Sequence, residues 1–415
     1  MTYERSLYRL MTVVMVALAV VGVFCQGADS TLEGFLRLQR QPARLLSDFT
    51  ITGGTGAALV NSAVVGAVGL GMVYKTDIRL SGPTFSAILT MMGFALFGKT
   101  ALNILPIIVG VYLAAKIVGK PFSAYILIAM FGTALGPLVT FLVYEAGLVG
   151  VPAFTVGILA GIATGMLLPA LAIAMLHLHQ GYHLYNVGLA AGFFGLFAAA
   201  FLTAGGRELP VLFAWNTRGH PALSAVVPVL SLVFILWGIF QAKGGTLRDL
   251  LQIQRLSGRL PSDFLDSVSP GGALVNVGLL GLASCLYVVL AGADFNGPVL
   301  GAVFTIMGFG AFGKTLRNCW PVIAGVVLSC LAFGKVLSAP GPILAALFST
   351  TLAPLAGAFG PLTGIVAGFI HLVVVERTAA WHCGLALYNN GFAGGLTSAL
   401  MVAVIEWYRS NRRDR

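Results

Sequence analysis

The chain contains itself twice. Slid by 215 residues, Thr31-Leu32 falls on Thr246-Leu247, Gln39-Arg40 on Gln254-Arg255, Arg44 on Arg259 and Ser47-Asp48-Phe49 on Ser262-Asp263-Phe264, without a gap. The same offset pairs Ala58-Leu59-Val60-Asn61 with Ala273-Leu274-Val275-Asn276, Gly82-Pro83 with Gly297-Pro298, and Gly119-Lys120 with Gly334-Lys335. Between them GFALFGKTALNILP, Gly93 to Pro106, returns as GFGAFGKTLRNCWP, Gly308 to Pro321. After a small change of length, His179-Gln180-Gly181 and Leu184-Tyr185-Asn186 return as His382-Cys383-Gly384 and Leu387-Tyr388-Asn389. Chance can pair leucines in an apolar chain, but not this series of polar, Gly and Pro positions. The domain organisation is therefore one unit written as residues 1–214 and again as 215–415.

Composition decides the solvent in which that unit folds. With 58% hydrophobic and only 9% charged residues, the chain lies in the membrane class. About 20 apolar residues cross a bilayer, so each repeat has room for five to seven membrane segments. The expected fold is an all-α polytopic integral membrane protein, two tandem homologous repeats deep, multi-pass in the plasma membrane of a prokaryote. The net charge of +10 gathers beside apolar runs, at Arg37, Arg40 and Arg44 and at Arg409, Arg412, Arg413 and Arg415. That placement points to anionic headgroups of the lipid bilayer, not to nucleic acid. Five scattered cysteines without C-x-x-C spacing support neither a disulfide framework nor a zinc site. Arg5 and Arg9 before the apolar run Met11 to Cys25 resemble a secretory signal, yet the twin run Ala222 to Ile239 argues for a retained membrane helix.

Each unit divides into a helix (8–26), an amphipathic interfacial segment (31–46), a long helix after a glycine cluster (53–75), a short apolar run (83–98), a helix (101–119), a broken helix (121–144) and two more helices (150–176 and 182–204). The break rests on Leu135-Gly136-Pro137, repeated as Leu352-Ala353-Pro354. The run from Pro83 to Gly98 is too short for an ordinary crossing and is the re-entrant candidate of each repeat. Short segments in corresponding positions of two halves are the usual pointer to a transport site. The loops carrying Arg37, Arg40 and Arg44 and their twins Arg248, Arg255 and Arg259 are both basic, which favours placing the two repeats the same way up.

Both GKT stretches satisfy G-x-x-x-x-G-K-[ST], the phosphate-cradling pattern. A nucleotide site also needs a preceding strand and an acidic magnesium partner. Here the interior is Phe94-Ala95-Leu96-Phe97 and no repeated acid stands by, so nucleotide hydrolysis is excluded. What survives is the physics of a helix start, whose free N–H groups carry partial positive charge. Lys99, Thr100 and Asn103, with Lys314, Thr315 and Asn318, suit an anion, a carboxylate or a polar neutral solute. Asn61 and Asn276 are amides inside a membrane helix and join the substrate-binding candidates, as do Tyr185, Asn186, Tyr388 and Asn389 with their neighbouring glycines. His177, His179 and His183 have the look of a metal cluster, but only His179 is repeated, so no metal and no cofactor is expected. Asp48 and Asp263 are the only duplicated acids, which disfavours ion coupling through a symmetric carboxylate pair at depth.

The duplicated GFxxFGKT…N…P element, with the A-L-V-N helix and the L-Y-N-x-G element, resembles a prokaryotic family of multi-spanning membrane proteins known as domain of unknown function 1576. That resemblance covers nearly the whole chain and implies no activity. Tyr185-Asn186 and Tyr388-Asn389 also bear a faint likeness to urea transporters, which are duplicated, use short pore helices and conduct a small neutral solute. The glycine here is displaced to Gly188 and Gly391, so no urea site is carried over.

The expected function is a channel or secondary transporter for a small polar or anionic solute, with its pathway at the pseudo-symmetric interface of the repeats. A membrane-embedded enzyme using His382 or Lys314 on a lipid-linked substrate is disfavoured, because no nucleophile, base and acid are grouped; the chain is not expected to be an enzyme. A non-transporting assembly protein would need tightly packed apolar side chains between the GKT elements. A homo-oligomer is compatible with all three.

Overall fold

The computed structural model describes residues 3–210, 213–241 and 244–413. Among the described residues all regular elements are helices, and they fall into two series of ten in the same order. The first series is α1 (Tyr3–Gln26), α2 (Ala28–Leu38), α3 (Phe49–Thr52), α4 (Thr55–Lys75), α5 (Gly82–Phe94), α6 (Ala101–Ile117), α7 (Ile126–Gly132), α8 (Gly136–Tyr144), α9 (Gly150–His179) and α10 (Asn186–Ala204). The second is α11 (Pro221–Gln241), α12 (Thr246–Arg255), α13 (Phe264–Ser267), α14 (Pro270–Leu290), α15 (Gly297–Phe309), α16 (Leu316–Ala332), α17 (Pro340–Ser349), α18 (Ala353–Phe359), α19 (Pro361–Trp381) and α20 (Asn389–Arg413). The junction between the series lies between Ala204 and Pro221. Among the described residues ten helices are long and apolar enough to cross a membrane, and Ala101–Ile117, Gly297–Phe309 and Leu316–Ala332 are shorter apolar helices. This is a polytopic membrane protein. Arg415 lies outside the described residues, as do the side chains of Arg412 and Arg413.

Local chemistry sets the boundaries. α7 and α8 are one broken rod, as are α17 and α18; each pair is joined by a 3-10 turn, Thr133–Leu135 or Thr350–Leu352, with proline at the second start. The interfacial segment is shorter than the pattern suggests: α2 stops at Leu38, and residues 39–48 run non-helical ahead of α3. Pro42 lies in that stretch, and the residue before a proline is driven out of the helical region. Gly34 lets α2 press against Gly53 and Ala57 of the α3–α4 region, while Leu32 and Leu36 stay exposed on the other side.

The two repeats are inverted, against the expectation from loop charge. α5 and α15 lie side by side and antiparallel: a Cβ on Gly93 would stand 2.5 Å from the Gly301 carbonyl, and one on Gly297 would stand 2.5 Å from the Leu96 carbonyl. Gly82, at the start of α5, meets Ala311 just beyond the end of α15. Ser6 near the start of α1 receives the indole N–H of Trp237 near the end of α11, at 2.9 Å. Equivalent helices therefore run in opposite directions, and the pseudo-two-fold axis lies across the helices, in the plane of the membrane. The physical reason is parity: α1, α4, the α7–α8 rod, α9 and α10 are five helices long and apolar enough to cross, the shorter α5 and α6 come as a pair, and an odd number of crossings starts α11 on the face opposite to the start of α1. Basic interfacial segments attract headgroups on either face, so their charge carried no orientation.

Candidate functional site

At the centre, each repeat completes the other. Every described residue of α5 except Pro83 is buried, as is all of α15. Helices this short, lying deep in an apolar body, need their end groups satisfied. Ser81 forms a capping box with Thr84 at the start of α5, and Asn296 receives the Val299 N–H at the start of α15. The duplicated aspartates cross the interface to do the rest. Asp263 accepts from the Gly82 amide at 3.1 Å, and Asp48 accepts from Gly297 as well as from Thr50 and Asn216. Burial pushes the Asp48 carboxyl up from its ordinary range, and those hydrogen bonds pull it back.

After α5 and α15 the chain turns through Gly98 and Gly313, whose φ of 150° and 157° only glycine adopts freely. It then restarts as α6 and α16. Thr100 and Asn103 form the capping box of α6: the Asn103 amide donates to the Thr100 hydroxyl at 3.2 Å, and the Asn103 side-chain oxygen accepts from the Thr100 amide at 2.9 Å. Thr315 and Asn318 repeat this for α16. Asn61 donates to the carbonyls of Ala95 and Lys99 at 2.7 and 2.8 Å; Asn276 donates to those of Gly310 and Lys314 at the same two distances. Gln39 and Gln254 hold these amides from behind. Six of the sequence candidates, the two Thr, the capping Asn pair and Asn61 with Asn276, thus build the turn that carries the lysines. None of the six lines the central cavity.

The lysines are fully buried in the protein. Lys99 Nζ donates to the Tyr388 hydroxyl at 2.6 Å and lies 4.7 Å from that ring and 5.6 Å from Phe94. Lys314 Nζ donates to the Tyr185 hydroxyl, and to Thr350 Oγ1 at 2.7 Å, with Tyr185 and Phe309 beneath it at 4.6 and 5.2 Å. Each lysine therefore meets the tyrosine of the opposite repeat. Asn186 and Asn389 open α10 and α20 and fix that corner: each takes a histidine Nε2, from His179 at 2.9 Å or His382 at 3.1 Å, and donates to a helix carbonyl, Ala172 or Val375. α10 and α20 cross where a Cβ on Gly188 would lie 3.0 Å from the Gly391 Cα.

The two tyrosines face a cavity of about 850 Å³. Its inner wall takes both members of seven repeat-related pairs: Thr90 and Thr305, Phe94 and Phe309, Phe131 and Phe348, Leu184 and Leu387, Tyr185 and Tyr388, Val187 and Asn390, Gly188 and Gly391. Asn186 also lines it, and Asn389 does not. Its outer wall comes from one face only. Pro83, Leu127, His177, Gln180 and Arg259 to Ser262 contribute, but their repeat-mates Pro298, Leu344, Ala380, Cys383 and Arg44 to Ser47 do not.

That second face is shut. Arg44 has no exposure and its Nε pairs with Glu145 at 2.7 Å, while its Nη1 donates to the Cys383 carbonyl at 3.2 Å. The junction between the repeats closes over it: the Ala214 amide donates to Leu46, the Asp48 amide to Ala214, and the Asn216 side chain to Thr50. On the open face Arg259 is exposed, lies 4.2 Å from the Tyr182 ring, donates to the Gln180 carbonyl at 2.9 Å and enters no ion pair among the described residues. The second repeat offers it no acid, because α18 ends at Phe359 and α19 starts at Pro361.

Two features had no repeat signal to reveal them. Glu145 is one. The other is His183 with His371: His183 is fully buried with neither ring nitrogen hydrogen-bonded, and His371 Nε2 meets Asn390 Oδ1 at 3.0 Å. Among the described residues no group of three His, Cys, Asp or Glu side chains is arranged to hold a metal.

The sequence profile of the family described as protein of unknown function DUF1576 matches residues 28–204 and 242–407, one stretch in each repeat. The chain belongs to that family. No curated protein and no solved structure matches it.

Proposed function

From membership of a family whose description carries no activity, we propose that this protein is a secondary transporter that exposes one central site to the two faces of the membrane in turn. The observation that carries the reading is the one-sided cavity: an inner wall built from both repeats symmetrically, and an outer wall from one face alone. In an inverted pair the backbone arrangement at the mouth of one repeat is available to the other, with the Glu145 and junction contacts confined to the Arg44 face. Exchanging the two arrangements closes the Arg259 face, opens the Arg44 face and leaves the Lys-Tyr pairs in place. A small polar or anionic solute held there passes from one face to the other. A channel would need both mouths open together, and Arg44 with Glu145 argues against that. The apolar wall between the repeats is interrupted by a cavity, which favours transport over a purely scaffolding role.

The test needs no knowledge of the solute. In full-length protein lacking its five native cysteines, single cysteines at Ser47 and at Ser262 are probed in membrane vesicles with a membrane-impermeant thiol reagent from each side. Transport by alternation predicts that both positions label, each from its own face, and that locking one mouth by cross-linking suppresses the other. If Ser47→Cys never labels under any condition while Ser262→Cys does, the protein does not alternate.

A further inference from the structure

We propose that the occupant of the cavity is an organic anion: a singly charged oxyanion, in the simplest case a carboxylate, carried on an apolar body of ring or short-chain size. The inference rests on the transport reading for delivery, but concerns what the site holds.

Charge comes first. Among the described residues none that lines the cavity is Asp or Glu, while Arg259 stands exposed at its mouth. A cation would meet no partner on the way in, whereas an anion is drawn in by the field of the mouth. Behind the inner wall sit Lys99 and Lys314, both with no exposure. The ion pairs among the described residues are Arg37–Glu33, Arg44–Glu145, Arg79–Asp266 and Lys335–Glu376, so neither central lysine has a carboxylate. A buried ammonium without a counter-charge is costly, because it gives up hydration and gains no opposite charge in return. Ring faces and hydroxyls offset part of that cost. Both repeats keep the arrangement, and the component that would complete it is a negative charge.

Geometry then says where the charge goes. Each ammonium stands one hydroxyl behind the cavity wall, donating to Tyr388 or to Tyr185. An ammonium donating to a phenol oxygen polarises the O–H, so a tyrosine hydroxyl offered to an acceptor in the cavity is a strengthened donor. An anion accepts from the hydroxyl and receives the ammonium's field through it. A neutral solute accepts the same hydrogen bond but leaves the buried charge uncompensated.

The body follows from the rest of the wall. Phe94, Phe131, Phe309 and Phe348 surround the tyrosines, Phe94 against Tyr388 at 4.5 Å and Phe309 against Tyr185 at 4.8 Å between ring centroids. Aromatic faces repel anions, so the charged end is directed to the hydroxyls and the apolar end to the rings. A small inorganic anion would lose its hydration to this wall and gain little from it. The cavity volume lies in the range of sites for compact organic ligands.

The experiment measures thermal stability of the full-length protein in detergent with three ring probes of matched size, benzoate, benzyl alcohol and benzylammonium, and with sulfate as a small inorganic anion. Benzoate is expected to raise the melting temperature in a saturable manner, and the other three are not. Tyr388→Phe and Tyr185→Phe should each weaken benzoate about tenfold, the loss of one charge-assisted hydrogen bond. Lys99→Met and Lys314→Met should weaken it further while leaving the unliganded protein as stable or more so, because a methionine fills the same space without a buried charge. Should a methionine variant fail to fold, Lys99→Arg keeps the charge and is expected to keep the benzoate response. Equal stabilisation by benzyl alcohol or sulfate, or none by benzoate, overturns the proposal. Cysteine labelling at Ser47 separates the two readings: benzoate binding without alternation removes transport and leaves the anion site, and alternation without benzoate binding does the reverse.

Discussion

At the scale of single residues, the repeated polar positions divide into those that hold the turn and those that face the cavity. Asn61 illustrates the first kind. Its amide gives the Ala95 and Lys99 carbonyls their hydrogen bonds, and Ala at that position leaves two buried acceptors without a donor. Asn61→Ala is therefore expected to destabilise the protein by about 2 kcal/mol or more, read as a lowered unfolding midpoint in a denaturation series in detergent micelles. Asn61→Asp should be no better, since an ionised carboxylate cannot donate. A variant that unfolds like the parent yet responds differently to solute would move Asn61 from scaffold to lining. The sequence singled out Asn61, Asn103 and their twins as polar groups at membrane depth, and could go no further. Helix caps and solute ligands use the same residue types, and only the partners of each side chain separate them.

Among the elements, α5 and α15 bear the tightest demand. They approach backbone to backbone at Gly93 and Gly301, where no side chain fits between them. Gly93→Val should abolish recovery of monodisperse protein in size-exclusion chromatography. The control is Gly71 in α4, around which an added methyl meets nothing within 4 Å; Gly71→Ala should be neutral or stabilising by up to about 1 kcal/mol, through helix propensity. If both variants behave alike, close packing at Gly93 is not what the pairing of α5 and α15 depends on. That a short apolar helix recurs was legible from the run between Pro83 and Gly98. That its two copies pair with one another was not, because each is apolar on every side and neither carries a stripe to indicate which face meets what.

For the whole molecule, inversion and asymmetry are the two properties to test. Reporters placed after α4, at Asp77, and after α14, at Gly292, occupy equivalent positions and should report from opposite faces of the membrane, by accessibility or by a compartment-sensitive tag. The same face for both would mean parallel repeats and would remove the alternation scheme with them. The asymmetry is testable at Glu145, whose ion pair with Arg44 has no counterpart at Arg259. Glu145→Gln should loosen the shut mouth, so that a cysteine at Ser47 labels several-fold faster and one at Ser262 more slowly. Unchanged labelling at both would assign the closure to the junction residues Ala214 and Asn216 instead.

The sequence by itself determined that this is a duplicated all-helical membrane protein, where most helices begin and end, and which polar residues recur in both repeats. Those properties are local or periodic: apolar run length, glycine and proline punctuation, and a fixed offset between copies each leave their record in the order of residues. Only the tertiary structure decided that the repeats are inverted, that each lysine meets the other repeat's tyrosine, and that one mouth is shut. Inversion depends on the parity of the passes, which short buried helices conceal. The crossed Lys-Tyr contacts join residues 289 and 129 positions apart, and no periodicity reports on a pairing of that kind. The closed face rests on Glu145 and the junction, the parts of the chain that the second copy does not repeat.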